Sequence, residues 1–326
     1  MKISILGAGA WGTALARLLA DRGHTVTLWD YFAATLEGIA RTGRNDRYLP
    51  GVPLPPGLIL EPDAARAVQG VDLVIVASVS RAFRSVTACL GDFTGVVVTV
   101  TKGIEFETGL TMSGVLHETA PRARVVALSG PSLAWEVARG VPTAVVVASE
   151  DAEAARLVQG LFHGPVLRVY TSTDLRGVEL GGALKNVFAI GAGVCDGLGF
   201  GDNSKAALVT RAIAEMRRLG VACGARAETF AGLSGIGDLM VTCFSPLSRN
   251  RQFGERLGRG ESVEQILNTM TAVAEGYPTA RAAFALARRL EVETPIIDEV
   301  HAMLYAGKDV RRAVQDLLAR ESKPED

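Results

Sequence analysis

Six residues near the start of the chain, Gly7-Ala8-Gly9-Ala10-Trp11-Gly12, restrict what it can fold into more than any other stretch. They follow Lys2–Leu6, a run suited to a β-strand, and lead into Thr13–Arg22, where apolar residues recur at helical spacing. In the order strand, glycine turn, helix, a G-x-G-x-x-G pattern reads as a dinucleotide-binding unit. The first glycine permits the tight turn, the second lets a pyrophosphate reach the backbone, and the third lets helix and strand lie close. The amides at the helix start then face the phosphates. A glycine-rich turn without a ligand is the plain alternative. A P-loop is excluded, because no Gly-Lys-Ser/Thr follows any glycine run.

In such a unit an acidic residue about 20 positions past the glycines meets the adenosine ribose. The second strand run, Thr25–Trp29, ends at Asp30, 18 residues after Gly12. A carboxylate there would repel the 2′-phosphate of NADP, so the spacing favours NAD. Asp30 as an ordinary loop carboxylate remains the alternative. Further strand runs at Leu73–Ala77, Val96–Val100, Arg124–Leu128, Ala144–Ala148 and Val166–Tyr170 are interleaved with helical segments such as Asp63–Val68 and Ala152–Phe162. That alternation predicts βαβ units on a parallel sheet. Beyond residue 170 the strand runs stop, and apolar residues recur at three and four, as in Ala206–Leu219 and Ala280–Leu290. The expected fold is therefore α/β: a Rossmann-type parallel-sheet domain over residues 1–170, then an all-α domain over 171–326 for substrate binding and catalysis. With 48% hydrophobic residues in 326, the chain can bury cores of that size without disulfides or metals.

Charge and cysteine usage exclude several classes. The 34 Lys and Arg against 35 Asp and Glu lack the basic excess of a nucleic-acid binder. Cys89, Cys195, Cys223 and Cys243 form no C-x-x-C pair, and the four histidines are equally dispersed, so no metal site is expected. Reduced thiols in a cytoplasmic protein are the expected state. No run of 18 apolar residues exists, so no membrane segment is expected. The apolar stretch from Ile3 to Ala16 is broken by its glycines where a secretory signal would be continuous. The expected partners are a small-molecule substrate and, in a homodimer, a second copy of the chain.

Three clusters carry possible chemistry. Thr101-Lys102-Gly103 and Ser129-Gly130-Pro131-Ser132 each follow a strand run, at the edge where open α/β sheets bind ligands. Lys185 lies in Val178–Val194, where Glu179 is the only other charge and Asn186 the only other strongly polar residue. On a helix its neighbours at three and four positions are Gly181, Gly182, Phe188 and Ala189. Those small residues leave room for a substrate, and apolar surroundings disfavour the lysine cation. Finally, Gly235–Thr242 precedes Ser248-Arg249-Asn250-Arg251, two arginines and an asparagine near an expected helix start, suited to clamping an oxyanion or a phosphate. A plain turn, a snorkelling surface lysine and solvated arginines are the respective alternatives.

Together these residues resemble the bacterial NAD(P)-dependent glycerol-3-phosphate dehydrogenases, from the start of the chain to about residue 310. The markers are GAGAWGTALA at 7–16, RYLPG at 47–51, TKGIE at 101–105, SGPSLA at 129–134, LKNVFAIGAGVCDGLGFGDNSKAAL at 184–208, GIGDLMVTC at 235–243, SRNRQFG at 248–254 and VAEG at 273–276. The resemblance implies an oxidoreductase interconverting sn-glycerol 3-phosphate and dihydroxyacetone phosphate and supplying glycerophospholipid synthesis. Position by position, it implies Lys185 as the proton-transferring residue, Lys102 beside the substrate, and Asp238 and Thr242 ordering that site. It implies Arg249 on the substrate phosphate and in reach of the cofactor, flanked by Ser248 and Asn250, with Asn186 beside Lys185. Gly130, Ser132 and Ala134 would line the cofactor and substrate cleft. Ala10 and Trp11 would join Gly7, Gly9 and Gly12 in the cofactor loop, and Lys102, Val273 and Glu275 would also touch the cofactor. Two departures stand out. Asp30-Tyr31 replaces the Gly-Arg or Gly-His of many relatives, which bears on NADP use, and Val79-Ser80-Arg81 replaces Pro-Ser-Gln. A dehydrogenase of the same plan for another hydroxy acid or sugar phosphate, and a non-catalytic dinucleotide sensor, stay open. The Ser248–Arg251 cluster favours a phosphorylated substrate, and Lys185 argues against a sensor.

Overall fold

Strands β1 (Lys2–Leu6), β2 (Thr25–Trp29), β3 (Ile59–Leu60), β4 (Leu73–Val76), β5 (Val96–Thr99), β6 (Arg124–Ser129), β7 (Thr143–Ala148) and β8 (Leu167–Ser172) pair into one sheet in the order β3-β2-β1-β4-β5-β6-β7-β8. All neighbours run parallel except β6 and β7. This computed structural model describes residues 1–270, 273–322 and 324–325. β4, Leu-Val-Ile-Val, is buried along its whole length, as a strand covered on both faces must be. One core gathers Ile3, Ile5, Leu28, Ile75 and Val98 under Leu15 and Leu19 of helix Ala10–Asp21 and Val158 and Phe162 of helix Ala152–Phe162. A second, built from the alternate strand residues Val74, Val76 and Val97, packs on Phe83, Val115 and Leu116. β1 lies between β2 and β4, so the order reverses there and a crevice opens at its carboxyl end.

The strands expected from sequence are all present, with small shifts at their ends. β3 was not foreseen, since two residues carry no readable alternation. The first helix opens at Ala10 rather than Thr13. The Thr13 amide already donates to Gly9 O at 2.9 Å, and Gly12, a poor helix former, masks that first turn in the sequence.

The chain divides into two compact units, Met1–Glu105 with Leu110–Glu179, and Phe106–Gly109 with Leu180–Asp326. The boundary falls within helix Leu175–Gly197. By length and mean hydropathy that helix matches a membrane span, which no single apolar run signalled. Its apolar window is wholly buried in the protein, as in a core helix.

In the second unit two helices meet along glycines. Gly193 and Gly197 face helix Arg249–Gly258, whose own Gly254 and Gly258 face back. A Cβ on Gly254 would stand 1.9 Å from Ile190 O, and one on Gly193 would stand 1.9 Å from Arg251 O. The glycines are needed because the two main chains touch. Gly254→Ala is expected to cost about 1–3 kcal/mol, the usual toll of overpacking. The check is the urea midpoint, which should fall at constant m-value. A wild-type midpoint would show that the seam yields.

Candidate functional site

In the first unit the glycine turn divides its labour. Gly7 has φ +119° and its Cβ position lies 2.6 Å from Ala77 O, while that of Gly12 lies 1.9 Å from Gly7 O, so backbone fills both places. Nothing lies within 4 Å of the Gly9 Cβ position. The helix beyond has no side-chain cap and no acidic residue in its first turn, so its leading amides, at Ala10, Trp11 and Gly12, are offered to an anion. An open cradle beside uncapped amides fits the pyrophosphate of a dinucleotide.

Asp30 ends β2 and is 9% exposed. Its Oδ2 accepts from the Ala8 amide at 2.8 Å and its Oδ1 from the Phe32 amide at 2.9 Å. The carboxylate therefore ties the glycine turn to the end of β2, a task the ribose-reading expectation did not include. Each oxygen retains lone-pair capacity, so a ribose hydroxyl is still admissible. Tyr31 is exposed, as is Arg81 on the turn after β4. Sequence reasoning missed Asn45. This buried amide donates to Ala8 O at 2.7 Å and Thr13 Oγ1 at 2.8 Å, bracing the same turn. Its only sequence signal is its place just before RYLPG.

The loops after β5 and β6 come together as their positions suggested. Lys102 Nζ donates to Gly130 O at 3.0 Å and Ser132 Oγ at 3.4 Å, and the Ser132 hydroxyl donates to Gly130 O at 2.9 Å. Gly130 takes φ +120°, and Ala134 opens the helix that follows.

In the second unit Lys185 is buried, and its ammonium donates to the Asp238 carboxylate and to Thr242 Oγ1 at 2.8 Å. The Thr242 hydroxyl donates in turn to Asp238 O at 2.6 Å, so its lone pairs are turned toward the lysine. Asp238 and Thr242, four apart, share one face of helix Asp238–Phe244. The turn before it is widened, with Gly237 N bonding to Gly232 O five residues back at 3.2 Å. Two expectations about Lys185 need correction. Its surroundings are not merely apolar, since the adjoining carboxylate stabilises the ammonium. The small residue Gly181 does not leave room for a substrate either, because its Cβ position lies 2.5 Å from Ser234 O. Burial pushes the neighbouring Cys243 thiol up to about 12, so it stays neutral.

Asn186 and Asn250 brace the protein. Asn250 Nδ2 donates to Asn186 Oδ1 at 2.8 Å, and Asn250 Oδ1 accepts from the Gly276 amide at 2.8 Å. The pair thus anchors the start of helix Gly276–Arg289, directly after Val273 and Glu275. Ser248 caps helix Arg249–Gly258, its Oγ accepting from Arg251 N at 3.2 Å, and Arg249 is the first residue of that helix.

Comparison with known proteins matches the N-terminal model of NAD-dependent glycerol-3-phosphate dehydrogenase over residues 2–155 and the C-terminal model over residues 174–315. A glycerol-3-phosphate dehydrogenase [NAD(P)+] of Anaeromyxobacter dehalogenans is 49% identical, with 100% of both chains covered. One from Desulfotalea psychrophila is 48% identical over 99% of this chain and 98% of its own length. The crystal structure of glycerol-3-phosphate dehydrogenase from Coxiella burnetii superposes with a TM-score of 0.95 at 38% identity, covering 98% of this chain and 99% of that one.

Proposed function

The chain belongs to the NAD-dependent glycerol-3-phosphate dehydrogenase family, and from that premise we propose that Lys185 transfers the proton and Arg249 anchors the substrate phosphate. The reaction is the interconversion of sn-glycerol 3-phosphate and dihydroxyacetone phosphate with NAD or NADP. Relatives that span the whole chain are named for this one activity, which sets aside the other-substrate and sensor readings.

The observation that carries the proposal is the buried Lys185 ammonium held by Asp238 and Thr242. Asp238 and Thr242 hold the ammonium at a fixed place beside helix Asp238–Phe244. In the reductive direction the ammonium donates to the oxygen of the carbonyl being reduced. In reverse the neutral amine takes the proton from the alcohol. Asp238 is the counter-charge of the ammonium form. Lys102, tethered to Gly130 O and Ser132 Oγ, stabilises negative charge developing on the substrate oxygen. Gly7, Gly9, Ala10, Trp11, Gly12 and Asp30 would hold a nicotinamide dinucleotide, which when bound would supply or accept the hydride. Asn186, Ser248 and Asn250 keep Lys185, Arg249 and the segment from Val273 to Glu275 in place.

We further propose that NADH is preferred over NADPH. The Asp30 charge at the end of β2 would face the extra phosphate, and Tyr31 offers no cation to offset it. Like charges in a partly dry site repel more than in water. The expected preference in kcat/KM is about tenfold or more, for which about 1.4 kcal/mol suffices. It is read from the loss of NADH or NADPH absorbance with dihydroxyacetone phosphate at matched low salt. Equal or better efficiency with NADPH would remove Asp30 as the discriminating residue. The proposal extends to a cytoplasmic homodimer serving phospholipid synthesis. Four reduced cysteines suit a reducing compartment, and sedimentation of the purified protein tests the dimer.

A further inference from the structure

Lys185 is not the only buried lysine of the second unit. Lys205, in helix Asp202–Ala222, is 7% exposed. Its ammonium pairs with Asp196 Oδ1, while Asp196 Oδ2 accepts from Arg251 Nε at 2.6 Å. Lys205 Nζ also lies 5.3 Å from the centre of the Phe244 ring, a cation–π contact. Arg251 reaches Glu255 only at 3.8 Å, and Glu255 also pairs with Arg259. One carboxylate thus serves two cations, and the cluster of Lys205, Asp196 and Arg251 carries one net positive charge.

That excess is costly for stability alone, because buried ion pairs seldom repay their desolvation. Its position gives it another use. Asp196 sits near the end of helix Leu175–Gly197, where Gly197 meets Glu255 O across the glycine seam. Arg251 belongs to the first turn of helix Arg249–Gly258, and its amide is already held by Ser248. Its guanidinium and its backbone are therefore both pinned. The first turn, with Arg249 and Asn250, has one orientation.

We propose that Lys205 is a positioning residue for phosphate recognition. Through Asp196 it fixes Arg251 and the turn bearing Arg249, and the net positive charge it gives the cluster strengthens the field in which the substrate phosphate is taken up. This rests on Arg249 as the phosphate anchor. The test compares Lys205→Met, Lys205→Arg and Asp196→Asn with Arg249→Ala as the control. The readouts are KM and kcat for dihydroxyacetone phosphate, the efficiency ratio of that substrate to unphosphorylated dihydroxyacetone, and competitive inhibition by inorganic phosphate.

Lys205→Met is expected to raise KM for dihydroxyacetone phosphate roughly tenfold, the scale of one unit charge acting across several ångströms of protein. The efficiency ratio and the phosphate inhibition should weaken in parallel, and Lys205→Arg should recover most of the loss. Should Lys205→Met not fold, Asp196→Asn breaks the tether while keeping the lysine, and loss of the tether should lower the ratio despite the added positive charge. Equal losses on both substrates would mark Lys205 as merely structural and overturn the proposal. So would an unchanged ratio in these variants while Arg249→Ala raises KM. If Arg249→Ala itself left KM unchanged, the underlying phosphate reading would fall instead.

Discussion

Lys185→Ala is expected to lower turnover roughly 10²–10⁴-fold, the scale of a lost general acid–base group. The side chain is the proposed proton source, and neither the Thr242 hydroxyl nor a water of ordinary acidity would replace a buried ammonium. The substitution has a second effect that must be separated from the first. It removes the ammonium from beside the fully buried Asp238, and breaking a buried pair from one side typically costs about 3–5 kcal/mol. Lys185→Ala combined with Asp238→Asn removes that carboxylate charge as well. The double variant should regain stability in urea unfolding but not turnover, and NADH binding should stay close to wild type in both. Turnover near the wild-type value in the single variant would take Lys185 out of the mechanism.

Arg249→Ala should raise KM for dihydroxyacetone phosphate by an amount worth about 2–5 kcal/mol, the range for truncating one partner of a desolvated charged contact. Arginine suits this role because its planar fork meets two phosphate oxygens at once. Unphosphorylated dihydroxyacetone should be a poor substrate for the wild type and nearly indifferent to the change, since it offers nothing for the guanidinium to hold. Lys in place of Arg249 should recover only part of the loss, as a point charge without the fork. An unchanged KM would transfer the clamp to another cation, with Arg251 first in line.

The parts of this molecule written in adjacent residues were readable without a structure. Gly7 and Gly12 could be assigned because the turn, the strand before it and the helix after it are contiguous. Lys185 stood out because its own helix supplied the contrast. Contacts across sequence were another matter. Asn45 bonds to Ala8 and Thr13, and nothing near Asn45 in the chain discloses those partners. The same distance in sequence hid the Asn186–Asn250–Gly276 relay and the second task of Asp30. Gly181 was misread for a related reason: a small residue leaves space, but sequence does not say whether a substrate or the Ser234 backbone takes it. Asp238 and Thr242 reached the site by family resemblance, since no periodicity links them to Lys185.

The glycine seam has one more consequence, for the spacing of the two helices that carry the proposed site residues. Helix Leu175–Gly197 carries Lys185, helix Arg249–Gly258 begins with Arg249, and the two are clasped main chain to main chain. With Lys185 as the proposed proton donor and Arg249 as the proposed phosphate anchor, the helices that carry them are held at a spacing set by peptide backbone. The expected result is a fall in kcat/KM for phosphorylated ketones one carbon longer or shorter than dihydroxyacetone phosphate, and equal efficiency with them would show that the seam does not gauge length.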